Sequence, residues 1–123
     1  MNSSPIYDVH ENLLTDTGFM EDWQVFLANQ PTPLTSTSLK SKPWQIMAYV
    51  NGKGLACPMP LLKLKMALKQ LNANEAVYVT ATDPNSQRDI GAFCEHLGYD
   101  FVTLASVDDV GDKAVFHVLV VRK

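Results

Sequence analysis

Cysteine is scarce in this chain. Cys57 and Cys94 are its two thiols, too few for the disulfide framework of a small secreted scaffold. Basic residues are outnumbered, ten Lys and Arg against thirteen Asp and Glu, for a formal net charge of −3. A protein that grips nucleic acid mainly through its phosphates carries the opposite balance. No apolar run approaches the roughly 20 residues that a bilayer-spanning helix needs. The opening MNSSPIYDVHENLL has neither a basic lead nor a continuous apolar stretch, so no secretory signal is expected. Neither phosphate-cradling glycine pattern, G-x-x-x-x-G-K-[ST] or G-x-G-x-x-G, occurs. Asn51–Gly54 (NGKG) is a turn. Cys57, Cys94, His10, His96 and His117 show no C-x-x-C or H-x-x-x-H spacing, so no metal site is expected. No cofactor is expected either. A folded domain of the cytoplasm with both thiols reduced remains.

Residues 1–43 read as an N-terminal extension. Its end, PTPLTSTSLKSKP at 31–43, is rich in Pro, Ser and Thr and lacks periodicity, as a linker does. Before it, 19–30 suggest a short helix. Phe19, Trp23, Phe26 and Leu27 recur at i, i+4, i+7 and i+8, on one face. So short a helix needs something to pack on.

Residues 44–123 are regular. WQIMAYV at 44–50 and AVYVTAT at 76–82 suggest strands, and 100–106 and 113–122 suggest two more, joined by VDDVGD. A helix over 60–72 would stripe Leu61, Leu64, Leu68 and Leu71. In a second helix, Ser86 and Asp89 have capping-box spacing. Ile90, Phe93, Cys94 and Leu97 then form its apolar stripe, and Gly98 closes it. The order β-α-β-α-β-β implies a two-layer α/β sandwich, a four-stranded mixed sheet with two helices on one face. The last strand is nevertheless apolar on both sides. Val115, Leu119 and Val121 lie on one, Phe116, Val118 and Val120 on the other. A one-sided sheet should alternate. The segment 19–30 or a second copy of the chain is therefore expected to cover the open face.

The chemistry concentrates in GLACPMPLLKLKMALKQL at 54–71. Pro58 and Pro60 lack an N–H, which costs nothing in the first turn of a helix. They place Cys57 at the positive end of the helix dipole, where a thiolate is favoured. Lys63, Lys65 and Lys69 would add positive potential. The bland alternatives are an inert core cysteine and a solvated lysine face. Cys94 sits on the apolar stripe of the second helix and reads as core, with a resolving thiol as the alternative. Arg88 reads as a surface charge or a partner contact.

The pattern G-L-x-C-P-x-P before a lysine-rich helix, with TDPNSQRDIGAFC at 82–94, resembles the TusA/SirA-type sulfur-carrier family over residues 46–123. The resemblance implies the same sandwich and a Cys57 that carries persulfide sulfur. It implies a protein donor, such as a cysteine desulfurase or a rhodanese, and a protein acceptor. Branches of the family serve 2-thiouridine synthesis in tRNA, sulfur oxidation, molybdenum-enzyme maturation or thiosulfate uptake. Such a protein is a relay between partners more than a turnover enzyme. The rival reading is a small nucleic-acid or protein interaction module without sulfur chemistry.

Overall fold

A computed structural model describes residues 7–29, 44–107 and 114–122. The linker read at 31–43 and residues 108–112 of the expected hairpin connection lie outside them. The elements are β1 (Tyr7–Val9), α1 (Glu11–Leu14), α2 (Thr17–Asn29), β2 (Trp44–Gly52), α3 (Met59–Leu68), β3 (Glu75–Ala81), α4 (Pro84–Leu97), β4 (Asp100–Val107) and β5 (Ala114–Val121).

The β-α-β-α-β-β sandwich is present, as β2-α3-β3-α4-β4-β5. The described strands form one mixed sheet in the order β1-β2-β3-β5-β4. β2 and β3 run parallel across α3. β5 inserts antiparallel between β3 and β4. The added edge strand, β1, pairs parallel with the start of β2.

Side chains leave each strand on alternate faces, and both faces are buried. Val77, Val79, Val118 and Val120 meet Leu64 and Leu68 of α3 and Ile90 and Cys94 of α4. Ala76, Tyr78, Leu119 and Val121 meet Phe19, Trp23 and Phe26 of α2. So α2 supplies a third layer, and the two-sided apolar pattern of β5 has its physical reason. The buried side of α2 differs from the expected stripe at one position. Asp22 is buried while Leu27 is exposed.

β2 changes faces partway along. Its pairing with β3 slips between Ile46 and Ala48. That bulge puts Ile46 on the α2 side, Ala48 on the α3 side and Tyr49 back toward α2. Without it, residues 46 and 48 would share a face.

Two helix boundaries differ from expectation. α3 ends at Leu68, with Lys69 as its C-cap, while Leu71 still packs on the core beyond it. α4 begins at Pro84, before the Ser86–Asp89 pair. Its N-cap is Asp83, whose side chain accepts from Asn85 N at 2.9 Å. A proline suits the first helical position, so the start falls there. Ser86 becomes a buried first-turn residue and Asp89 is released for other work. Gly98 is the expected left-handed stop, at φ 75°.

Candidate functional site

The loop between β2 and α3 is built from close approaches. A Cβ on Gly52 would lie 2.7 Å from the Thr80 carbonyl oxygen and 3.0 Å from Pro60 Cβ. Only glycine lets α3 sit down on the strand there. Gly54, at φ 81°, turns the chain and donates its N–H to Thr82 Oγ1 at 2.9 Å. The Cys57–Pro58 peptide is cis. Pro58 caps α3 without a side-chain hydrogen bond, and Pro60 is buried in its first turn.

This places Cys57, half-exposed, between the starts of α3 and α4. The N-cap aspartate of α4 and an aspartate of its second turn hold it. Asp83 Oδ2 accepts from Cys57 N at 2.9 Å. Asp89 Oδ2 accepts from Cys57 Sγ at 2.6 Å. The Cys57 and Asn85 amides keep the Asp83 carboxyl below the usual carboxylate range.

The electrostatics oppose the expected thiolate. The Cys57 thiol is pushed above its ordinary value, first by its hydrogen bond to Asp89, then by partial desolvation and the charges of Asp89 and Asp83. The helix end expected to stabilise the anion has little to offer. Pro58 and Pro60 carry no N–H, and the Met59 amide already donates to Ala56 O at 2.9 Å. Nor do the lysines gather round the sulfur. Lys65 Nζ lies 5.3 Å from the centroid of the Phe93 ring, a cation–π contact that bridges α3 and α4. Lys69 caps the far end of a helix about 15 Å long. Lys63 is solvent-exposed. Arg88, beside Asp89 in sequence, is exposed along a groove with Gln87, Gly91, Phe101 and Phe116.

The outer face of α3 shows what the lysine-centred reading missed. Met59, Leu62 and Met66 are 44%, 44% and 67% exposed. Their i, i+3, i+7 spacing makes one apolar stripe that starts two residues after the thiol. The signal was in the sequence, but it resembles a core stripe until the other side of α3 is seen to be buried. Cys94 is fully buried in the core, which pushes its thiol up to about 12. Among the described residues, no group of three His, Cys, Asp or Glu is placed to hold a metal ion.

Fold and site together define a class, small α/β sandwiches that present one cysteine where a helix opens with prolines. The chain belongs to the family described as Sulfurtransferase TusA, which matches residues 48–123. The sulfur carrier protein TusA of Allochromatium vinosum is 34% identical over 71 residues, 58% of this chain and 87% of that protein. Its counterpart in Pseudomonas putida is 38% identical over 64 residues, 52% of this chain and 78% of that protein. A 40% identical match to YrkF of Bacillus subtilis takes in 43% of this chain and only 29% of that longer protein. The fold is that of the crystal structure of a SirA-like protein from Desulfitobacterium hafniense, at a TM-score of 0.50 and 23% identity, over 63% of this chain and all of that one. β1, α1 and α2 lie outside the family's matched stretch.

Proposed function

We propose that this protein is a sulfur carrier, with Cys57 taking sulfane sulfur from a protein donor as a persulfide and handing it to a protein acceptor. The observation that carries the reading is the placement of Cys57. It is a reachable thiol in the C-P-x-P position of a family whose curated members are named sulfur carriers. Cys94 is inaccessible and serves the core. The stripe of Met59, Leu62 and Met66 beside the thiol suits an apolar protein partner better than a nucleic-acid backbone. Lys63 and Arg88 would add charge steering at its border. A cysteine desulfurase or a rhodanese is the fitting donor, and 2-thiouridine synthesis in tRNA is one destination for the sulfur. The reducing cytoplasm is the fitting compartment for a free thiol. No helix among the described residues is long and apolar enough to cross a membrane. We take residues 1–43 as an extension to a sulfur-carrier domain that begins at 44.

The test is the intact mass of the reduced protein after incubation with a cysteine desulfurase and cysteine, or with a rhodanese and thiosulfate. One added sulfur atom is expected on the unsubstituted protein and on Cys94→Ser, and none on Cys57→Ser. If neither donor loads the unsubstituted protein, the carrier reading gives way to that of an interaction module.

A further inference from the structure

We propose that Asp89 is a catalytic residue of the sulfur relay, holding the Cys57 proton in the resting carrier and passing it on as sulfur is exchanged. The proposal rests on the carrier reading above and adds a proton path to it.

The argument begins with placement. Asp83 is the N-cap of α4, and Ser86 and Asp89 follow it at intervals of three in the first and second turns. Ile90 and Cys94 point into the core and fix the roll of the helix. The start of α4 meets the Cys57 loop through Asp83 and Asp89. Asp83 takes the backbone N–H and Asp89 the thiol, a two-point hold on one residue. Between them Ser86 is fully buried, its Oγ without a hydrogen-bond partner among the described residues. Asp89 is not needed to cap α4, because Asp83 does that.

A carboxylate is a poor companion for a cysteine whose task is to be a thiolate. It disfavours the anion and so depresses the nucleophile's population at neutral pH. It is a good companion for a cysteine whose proton must leave and return in step with bond exchange. On uptake, Cys57 Sγ forms a bond to the terminal sulfur of a donor persulfide. The donor's own S–S bond breaks, and its electron pair stays on the donor sulfur. The proton of Cys57 moves through Asp89 to that leaving thiolate. A thiol and a persulfide become a persulfide and a thiol, with no external oxidant or reductant. Delivery runs the same path in reverse, with the acceptor's thiol proton returning through Asp89 to Cys57. The two carboxylates also make the site a poor home for the negative charge of a persulfide anion, which favours onward transfer.

The test pairs two readouts on Asp89→Asn. The first is the pH profile of Cys57 alkylation by iodoacetamide, which needs no sulfur donor. Its midpoint should move to lower pH, and alkylation at pH 7 should become faster. The second is the rate of sulfur uptake from a persulfidated rhodanese, followed by quenched mass spectrometry. It should fall about 100-fold, the low end of what a positioned proton-transfer group contributes. Asp89→Glu should recover part of that rate. A more reactive thiol that transfers sulfur more slowly is an outcome no structural role produces. An unmoved alkylation profile, an unchanged uptake rate, or both reactivities falling together with the melting temperature would overturn the proposal. If the unsubstituted protein takes up no sulfur from either donor, the carrier reading itself fails. If it does and Asp89→Asn matches its rate, only the role of Asp89 fails.

Discussion

Phe19→Ala should lower the unfolding free energy by about 4 kcal/mol, within the range for deleting a buried aromatic ring. Phe19 is fully buried. Its ring stacks on Trp23 at 5.6 Å and meets Tyr49 and Tyr78 edge-on at 5.5 and 5.8 Å. The cavity would open in the middle of the layer that α2 forms with the sheet, where neighbouring aromatic rings have little freedom to collapse. A domain of this size has a total stability of about 5–15 kcal/mol, so the loss is a large share of it. Leu27→Ala is the control on the same helix. Leu27 is 44% exposed, so its truncation should cost under about 1 kcal/mol. Urea unfolding of the two variants checks the pair. A Phe19→Ala cost as small as that of Leu27→Ala would mean that α2 does not hold the sheet in solution.

Acid should destabilise the protein through His117. Its ring is 1% exposed and sits between Tyr78 and Ser106. The Tyr78 hydroxyl donates to the Asp22 carbonyl at 2.8 Å. Its oxygen therefore accepts from His117 Nδ1, at 2.6 Å. That leaves His117 Nε2 to accept from Ser106 Oγ at 2.8 Å. The chain of bonds runs from α2 across β3 and β5 to β4 and is satisfied by a neutral imidazole. Burial pushes the His117 pKa from 6.5 down to about 4.

The sign follows from linkage. The unfolded chain takes up the proton first as pH falls, so the contribution of neutral His117 is complete above about pH 6.5 and drains away toward pH 4. Between pH 7 and pH 4 the loss from this one group is about 3 kcal/mol. Asp83, with its lowered pKa, loses its contribution in the same direction at lower pH. The measurement is therefore a difference between two curves, unfolding free energy against pH for the unsubstituted protein and for His117→Gln. The variant starts lower, because it disturbs Tyr78 and Ser106, but its slope between pH 6.5 and 4 should be the shallower. Parallel curves would remove His117 from the account.

The same network links α2 to the loop that carries Cys57. Asp22 accepts from the Tyr49 hydroxyl and pairs with Lys53 Nζ at 2.7 Å. Lys53 stands in the turn that leads to Cys57. One aspartate of α2 thus touches the sheet and the start of the loop that carries the thiol. An ion pair whose lysine is a third exposed adds little stability by itself. Its effect is to fix where the turn lies.

By itself, the sequence determined whatever is local. Alternating strand and helix periods marked the elements of the sandwich, because burial on one side leaves a period of two or 3.6 in the chain itself. Gly98 announced the end of α4, because few residues other than glycine adopt its left-handed backbone at low cost. Cys57, Pro58 and Pro60 marked the candidate loop, because a helix tolerates missing N–H groups in its first turn and not in its interior. The two-faced apolar pattern of β5 and the stripe of Phe19, Trp23 and Phe26 each lacked a partner, and packing made them partners of one another. The tertiary structure alone decided the state of the thiol. Asp89 lies 32 residues from Cys57, and no period within α4 reveals what its carboxylate faces. The slip at Ile46 and Ala48, which flips the faces of β2, depends on pairing with β3. The neutrality of His117 depends on its burial between the sheet and α2. Charge and proton placement depend on distances through space, and those exist only once the layers have closed.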